Sequence, residues 1–126
     1  MTLSLLICLS SCGKYTSSYK AIGLVKNQGA HSCEASFYSL EGQLVFKIKS
    51  PSSASEYEIS YSANADQGDL RIYYDIYGTK EELAHLKAGE SVDTKGGYVE
   101  GGKTVYIIIE AAEDTRGRVS VNIGGK

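Results

Sequence analysis

Past residue 20 the chain alternates apolar and polar side chains with a period of two, the pattern of strands that bury one face and wet the other. Residues 42–49 set Leu44, Phe46 and Ile48 against Lys47 and Lys49. Pro51-Ser52-Ser53-Ala54-Ser55 supplies a turn, after which Tyr57, Ile59 and Tyr61 alternate with Glu58, Ser60 and Ser62. A polar turn at Asp66-Gln67-Gly68-Asp69 leads into Leu70, Ile72, Tyr74 and Ile76, opposed by Arg71, Tyr73, Asp75 and Tyr77 until Gly78 ends the run. The strongest strand covers residues 103–112, with Val105, Ile107 and Ile109 on one side and Thr104, Tyr106, Ile108 and Glu110 on the other. Apolar residues on both of its faces predict a central position or a covered outer face. After a turn at residues 114–117, Val119, Val121 and Ile123 form a closing strand, while residues 21–25 and 33–40 read as the first two.

One stretch breaks the alternation. Thr79 followed three residues later by Glu82 fits a capping box, so residues 79–87 predict a short helical turn pinned to the body by Leu83 and Leu86. The pairs Gly96-Gly97 and Gly101-Gly102 bracket Tyr98-Val99 and mark turns or bulges. Seven or eight short strands, roughly 8–12 residues apart, predict an all-β fold, an antiparallel two-sheet β-sandwich. Two sheets are favoured over a closed barrel because several strands carry one apolar and one polar face. The order of features from Phe46 onward resembles secreted bacterial β-sandwich modules of the jelly-roll and pre-peptidase C-terminal type. The residues that carry this likeness are Tyr57-Glu58-Ile59-Ser60-Tyr61-Ser62, Asp69-Leu70-Arg71-Ile72-Tyr73-Tyr74 and Gly102-Lys103-Thr104-Val105-Tyr106-Ile107. It implies an accessory or binding role.

The N-terminus changes the picture of where such a domain works. An apolar run over residues 3–9 closes on Leu9-Ser10-Ser11-Cys12, which resembles the lipobox of bacterial lipoproteins. The resemblance implies that residues 1–11 are a signal segment, that Cys12 becomes an acylated N-terminus, and that the protein is extracytoplasmic and lipid-anchored to the bacterial cell membrane. The run is too short to span a bilayer, which takes about 20 mostly apolar residues. Residues 12–20, rich in Ser, Thr, Tyr and Lys, then read as a polar tether, and residues 21–126 as the sandwich.

Composition fits one small exported domain. With 13 Lys+Arg against 15 Asp+Glu and no basic stretch interleaved with aromatics, a nucleic-acid partner is disfavoured. Of Cys8, Cys12 and Cys33, the first leaves with the signal and the second is acylated. Cys33 alternates with Ala35 and Phe37 on a strand face and reads as a small buried side chain. Without acylation, a Cys12–Cys33 disulfide is the alternative.

No catalytic constellation stands out. His31 and His85 are the two histidines, and neither a Gly-x-Ser-x-Gly elbow nor a phosphate-cradling glycine loop occurs. Asn64, Asp66 and Asp69 offer oxygen donors around a turn, as calcium would want, but these residue types also favour turns for their own backbone hydrogen bonds. No cofactor or metal is expected. Ten tyrosines with no tryptophan are the better candidate chemistry. Tyr73, Tyr77 and Tyr106, with Arg71 and Asp75 between them, lie on the polar faces of their strands, where rings stack on a glycan or peptide while charged groups hydrogen-bond. The expectation is therefore a non-catalytic binding or structural module at the cell surface. A carbohydrate- or peptide-binding accessory domain is the alternative, and a small metal-dependent hydrolase the remote one.

Overall fold

The computed structural model describes residues 15–124; the signal segment 1–11 and Cys12 lie outside the described residues. One antiparallel hydrogen-bonded sheet of eight strands contains β1 (Ser18–Ile22), β2 (Val25–Gln28), β3 (Ser32–Lys49), β4 (Glu56–Gln67), β5 (Asp69–Asp75), β6 (Glu81–Lys87), β7 (Glu90–Glu100) and β8 (Thr104–Ile123). The expected antiparallel sandwich is formed by folding this sheet on itself. The crease runs through its two longest strands, β3 and β8, which pair along their whole length. From Phe37 to Leu40 β3 takes three steps against two of β8, and from Thr115 to Ala111 β8 takes four steps against two of β3. Such bulges sharpen twist and bend a strand.

Leaf A has the order β2, the first half of β3, the second half of β8, β4, β7. Leaf B has the order β1, the second half of β3, the first half of β8, β5, β6. The β4–β7 and β5–β6 pairs nest inside the β3–β8 hairpin and fall in opposite leaves. With the long strands cut at their bulges and β1 and β2 set aside as edge additions, the order is jelly-roll-like.

Both leaves send apolar side chains into one core. Phe37, Leu40, Phe46, Ile59, Leu70, Ile72, Ile107, Ile109 and Val121 belong to the same buried cluster. Truncating one of the larger of them to alanine is expected to cost about 2–5 kcal/mol. The bulge in β3 shifts the buried positions from odd (Cys33, Ala35, Phe37) to even (Leu40, Leu44, Phe46, Ile48), so one face stays inside across the bend. Within the bulge of β8, buried Thr115 accepts a hydrogen bond from the Asp69 amide (3.1 Å) and donates one to the Ala112 carbonyl (2.7 Å). Cys33 lies in the core, and burial pushes its thiol up to about 12.

Three expectations need correction. The segment with the capping pattern is strand β6, because pairing Glu81–Lys87 with β5 buries Leu86 and half-buries Leu83 and Ala84. A nine-residue helix is marginal in water and has no comparable reward. The glycine pair at 96–97 forms the expected bulge, since Glu58 and Ile59 face Tyr98 and Gly96 with Gly97 left between them, and it also makes room for a ring: a Cβ on Gly97, at φ +71°, would come 2.8 Å from the Tyr74 ring. Gly117 lies within β8, close to the Asn64 carbonyl, so residues 114–117 are not a turn between two strands but continue one strand just past its bulge between Ala111 and Thr115. Finally, from Tyr15 onward the segment read as a tether is part of the fold, with β1 pairing along β3 from Ser18.

Candidate functional site

The register of β5 against β8 brings together residues that sequence left apart. Asp75 stands opposite Tyr106, Tyr73 opposite Ile108 and Arg71 opposite Glu110. Four of the five anticipated ligand-binding residues, Arg71, Tyr73, Asp75 and Tyr106, are thus neighbours on the outer face of leaf B. That face is not bare. The Tyr15 ring packs on the Tyr106 ring with centroids 5.5 Å apart and planes tilted by 60°. Its hydroxyl donates to the Asp75 carboxylate. Asp75 is only 1% exposed and also accepts the Gly78 amide at 2.6 Å. Burial, and then the hydrogen bond to Asp75, push the Tyr15 hydroxyl up to about 12.

The rest of the face is similarly engaged. The Lys80 ammonium lies 4.4 Å above the Tyr73 ring and 2.7 Å from the Glu110 carboxylate. Arg71 pairs with Glu82 at 3.7 Å and Asp69 at 3.9 Å. His85 Nε2 lies 2.9 and 3.0 Å from the Asp69 carboxylate oxygens, and this hydrogen bond lowers the Asp69 pKa. Ile108 is fully buried although it points away from the core cluster, opposite Tyr73 and Val45. The outer face of leaf B is therefore covered by its own side chains, not by a helical turn.

Tyr77 goes elsewhere. β5 stops at Asp75, whose carboxylate takes the Gly78 amide and turns the chain, as aspartates do in tight turns. Tyr77 is thrown outward to 71% exposure. Its hydroxyl donates to Glu100, a contact that raises its pKa. With Tyr74, Ile76, Thr79, Glu81 and Tyr98 it lines a cleft of about 310 Å³. Tyr98, on β7, is 62% exposed, and Gly97 lies under the Tyr74 ring that floors the cleft. Sequence reading missed Tyr74, which alternates as a core residue, and Tyr98. The signal was the pair of glycines before Tyr98, which serves the ring of Tyr74 and not a turn.

The oxygen donors near residue 66 do not converge. Asn64 donates to Asp66 at 3.1 Å, while Asp69 turns to His85. Among the described residues no group of three His, Cys, Asp or Glu side chains could hold a metal ion.

No protein-family model matches the chain, and no curated protein matches it. Among solved structures it resembles a GH26-CBM35 β-(1,4)-mannanase from Podospora anserina, with 15% identity and a TM-score of 0.47, over 88% of this chain and 26% of that one. The chain thus spans about a quarter of the mannanase. A family 29 carbohydrate binding module complexed with mannohexaose gives 13% identity and a TM-score of 0.41, over 85% of this chain and 78% of that one. A family 61 module in complex with β-1,4-galactotriose gives 12% and 0.40, over 82% and 83%. Overlaps this loose assign no ligand to this chain.

Proposed function

We propose that this protein is a bacterial lipoprotein, held outside the cell membrane by acylated Cys12, whose sandwich binds a glycan without catalysis in the cleft of Tyr74, Tyr77 and Tyr98. The observation that carries the binding reading is the pair of tyrosine rings, 71% and 62% exposed, lining one cleft of about 310 Å³. Clustered exposed aromatics mark interaction surfaces, and cavities from about 300 Å³ upward hold small ligands. A pyranose presents C–H faces that stack on rings and hydroxyls that donate to carboxylates. Tyr77 and Tyr98 supply the rings, and Glu81 and Thr79 the hydrogen-bonding groups.

Two measurements test this reading. The N-terminal peptide recovered from host membranes should start at a diacylglycerol-modified Cys12. The same protein should bind oligosaccharides on a glycan array, and Tyr77→Ala should remove that binding. An unmodified N-terminus that keeps residues 3–9 overturns the anchor. An array without a ligand, or a peptide library that yields one instead, overturns the glycan reading.

A further inference from the structure

The chain enters the fold already fastened to one face. Tyr15 packs on Tyr106 and donates to Asp75. The Thr16 carbonyl accepts the Gln43 side-chain amide at 3.0 Å, and the Ser17 hydroxyl accepts the Val45 amide at 2.9 Å. Strand pairing begins at the next residue, Ser18. No slack is left between Tyr15 and the sandwich.

Only Gly13 and Lys14 separate Tyr15 from Cys12. Three consecutive Cα steps of 3.8 Å reach at most about 11 Å. A diacylated Cys12 must sit at headgroup level for its acyl chains to enter the bilayer, and the headgroup layer is itself about 5–8 Å deep on each side. A fold held at Tyr15 by so short a link cannot stand off from the lipid.

From this we infer that the outer face of leaf B around Tyr15 is a membrane-docking surface whose partner is the layer of anionic phospholipid headgroups. The inference rests on acylation of Cys12. On this face Asp69 and Glu82 pair with Arg71, Glu110 pairs with Lys80 and Asp75 takes the Tyr15 hydroxyl, so the cations it offers a headgroup layer lie at its Tyr106 end. Lys47 stands opposite Tyr106 and Lys49 opposite Thr104 in the β3–β8 register, and both are exposed. Ammonium groups beside an anionic leaflet are attracted to its phosphates, and tyrosine rings are at home at headgroup depth. The cleft lies past the end of β5, where Tyr74, Tyr77 and Glu81 of leaf B meet Tyr98 of leaf A, so it is the rim of the docked face and not the face itself.

The test uses the acylated full chain in vesicles of phosphatidylglycerol and phosphatidylethanolamine, footprinted with a membrane-impermeant lysine-acetylating reagent and read by peptide mass. Relative to the same protein in detergent, Lys47 and Lys49 should label roughly fivefold more slowly. Lys95, opposite Ser60 on the outer face of leaf A, should label at an unchanged rate. Tyr15→Ala should keep the acylated N-terminus and lose the protection. If the N-terminal peptide is unmodified, both the anchor and the docking fall. If Cys12 is acylated but Lys47 and Lys49 label like Lys95, the anchor stands and the docking surface is overturned. Protection in native membranes but not in protein-free vesicles also overturns it, in favour of a partner protein. Protection that survives Tyr15→Ala overturns the role of the Tyr15 clasp.

Discussion

The molecule carries two tyrosine surfaces that differ in how far the chain has already used them. On the outer face of leaf B, Tyr106 lies under Tyr15, Tyr73 under Lys80, and Asp75 holds a hydroxyl and an amide. At the cleft, Tyr77 and Tyr98 keep most of their surface in water. Tyr73, Tyr77 and Tyr106 carry the same polar-face position in the sequence alternation, so residue type and sequence pattern do not separate a binding surface from a structural one. The distinction lies in how much ring surface the partners leave open, since Tyr77 too has Glu100 at its hydroxyl and Lys103 6.0 Å from its ring centroid yet stays exposed. A ring already stacked and a carboxylate already saturated add to stability and orientation, whereas an open ring beside an acceptor is available to a ligand.

The sharpest way to break this comparison is to remove the open rings. Replacing both Tyr77 and Tyr98 by alanine should weaken binding of the array-identified glycan by about 100-fold, as truncation of two aromatic hot spots does. Isothermal titration reads the loss. The melting temperature should hardly move, because neither ring belongs to the core cluster. Tyr73→Ala should do the reverse and leave affinity intact. A double variant that binds normally would return the ligand to another surface.

The next largest effect lies on the closed side. Asp75→Ala leaves the Gly78 amide and the Tyr15 hydroxyl without their acceptor, at a site almost closed to water. The expected cost is about 2–3 kcal/mol in urea unfolding. A cost near zero would mean that the turn after β5 and the Tyr15 clasp hold without this carboxylate, and that the contrast between the two surfaces is overstated.

Much of the fold could be read from alternation alone, because one-sided burial writes a period of two into residues such as Leu70, Ile72, Val119 and Val121. The parts that could not be read share a physical cause. At Tyr38 and Ser39 the bulge shifts the buried phase by one residue, so one 18-residue strand looks like two. At residues 79–87 a local capping pattern loses to the unpaired edge of β5, a partner that local sequence does not display. Tyr15 and Asp75 meet across 60 positions, and Gly97 makes sense only once the Tyr74 ring stands over it. The candidate site suffered most. Sequence named Arg71, Tyr73, Asp75, Tyr77 and Tyr106 but could not place Tyr73 and Tyr106 in one sheet; the register joins four of them and sends Tyr77 elsewhere, and nothing local showed that the chain returns to cover Asp75 and Tyr106.

Alkaline pH probes the clasp more gently. The Tyr15 hydroxyl keeps its proton to about pH 12 in the folded protein, against about 10 for an ordinary tyrosine. Between those values the unfolded chain has released a proton that the folded chain still holds, so stability falls as pH rises. The contribution is fully present below pH 10 and lost by about pH 12. After allowance for the solvent that still reaches the ring, it amounts to about 1 kcal/mol. Tyr15→Phe should remove this part of the alkaline decline and cost about 1 kcal/mol at neutral pH. Equal slopes in the two proteins between pH 10 and 12 would detach Tyr15 from Asp75.

The smallest expected effect tests whether the cover over Tyr73 is as firm as that over Tyr106. Lys80 touches the Tyr73 ring and Glu110, but its side chain and that of Glu110 are each about one-third exposed. Solvent and salt weaken such a contact, so Lys80→Met, which keeps the hydrocarbon stem over the ring, should cost no more than about 0.5–1 kcal/mol. The difference should shrink further in roughly 1 M salt, where the screening length falls to about 3 Å. Because Thr79, the neighbour of Lys80, lines the cleft, glycan affinity is the control and should be unchanged. A loss above about 2 kcal/mol that persists in high salt would show that Lys80 and Tyr73 are packed as tightly as Tyr15 and Tyr106. The closed face would then be uniform, where the ion pair's exposure makes it graded from a firm clasp at Asp75 to a loose one at Glu110.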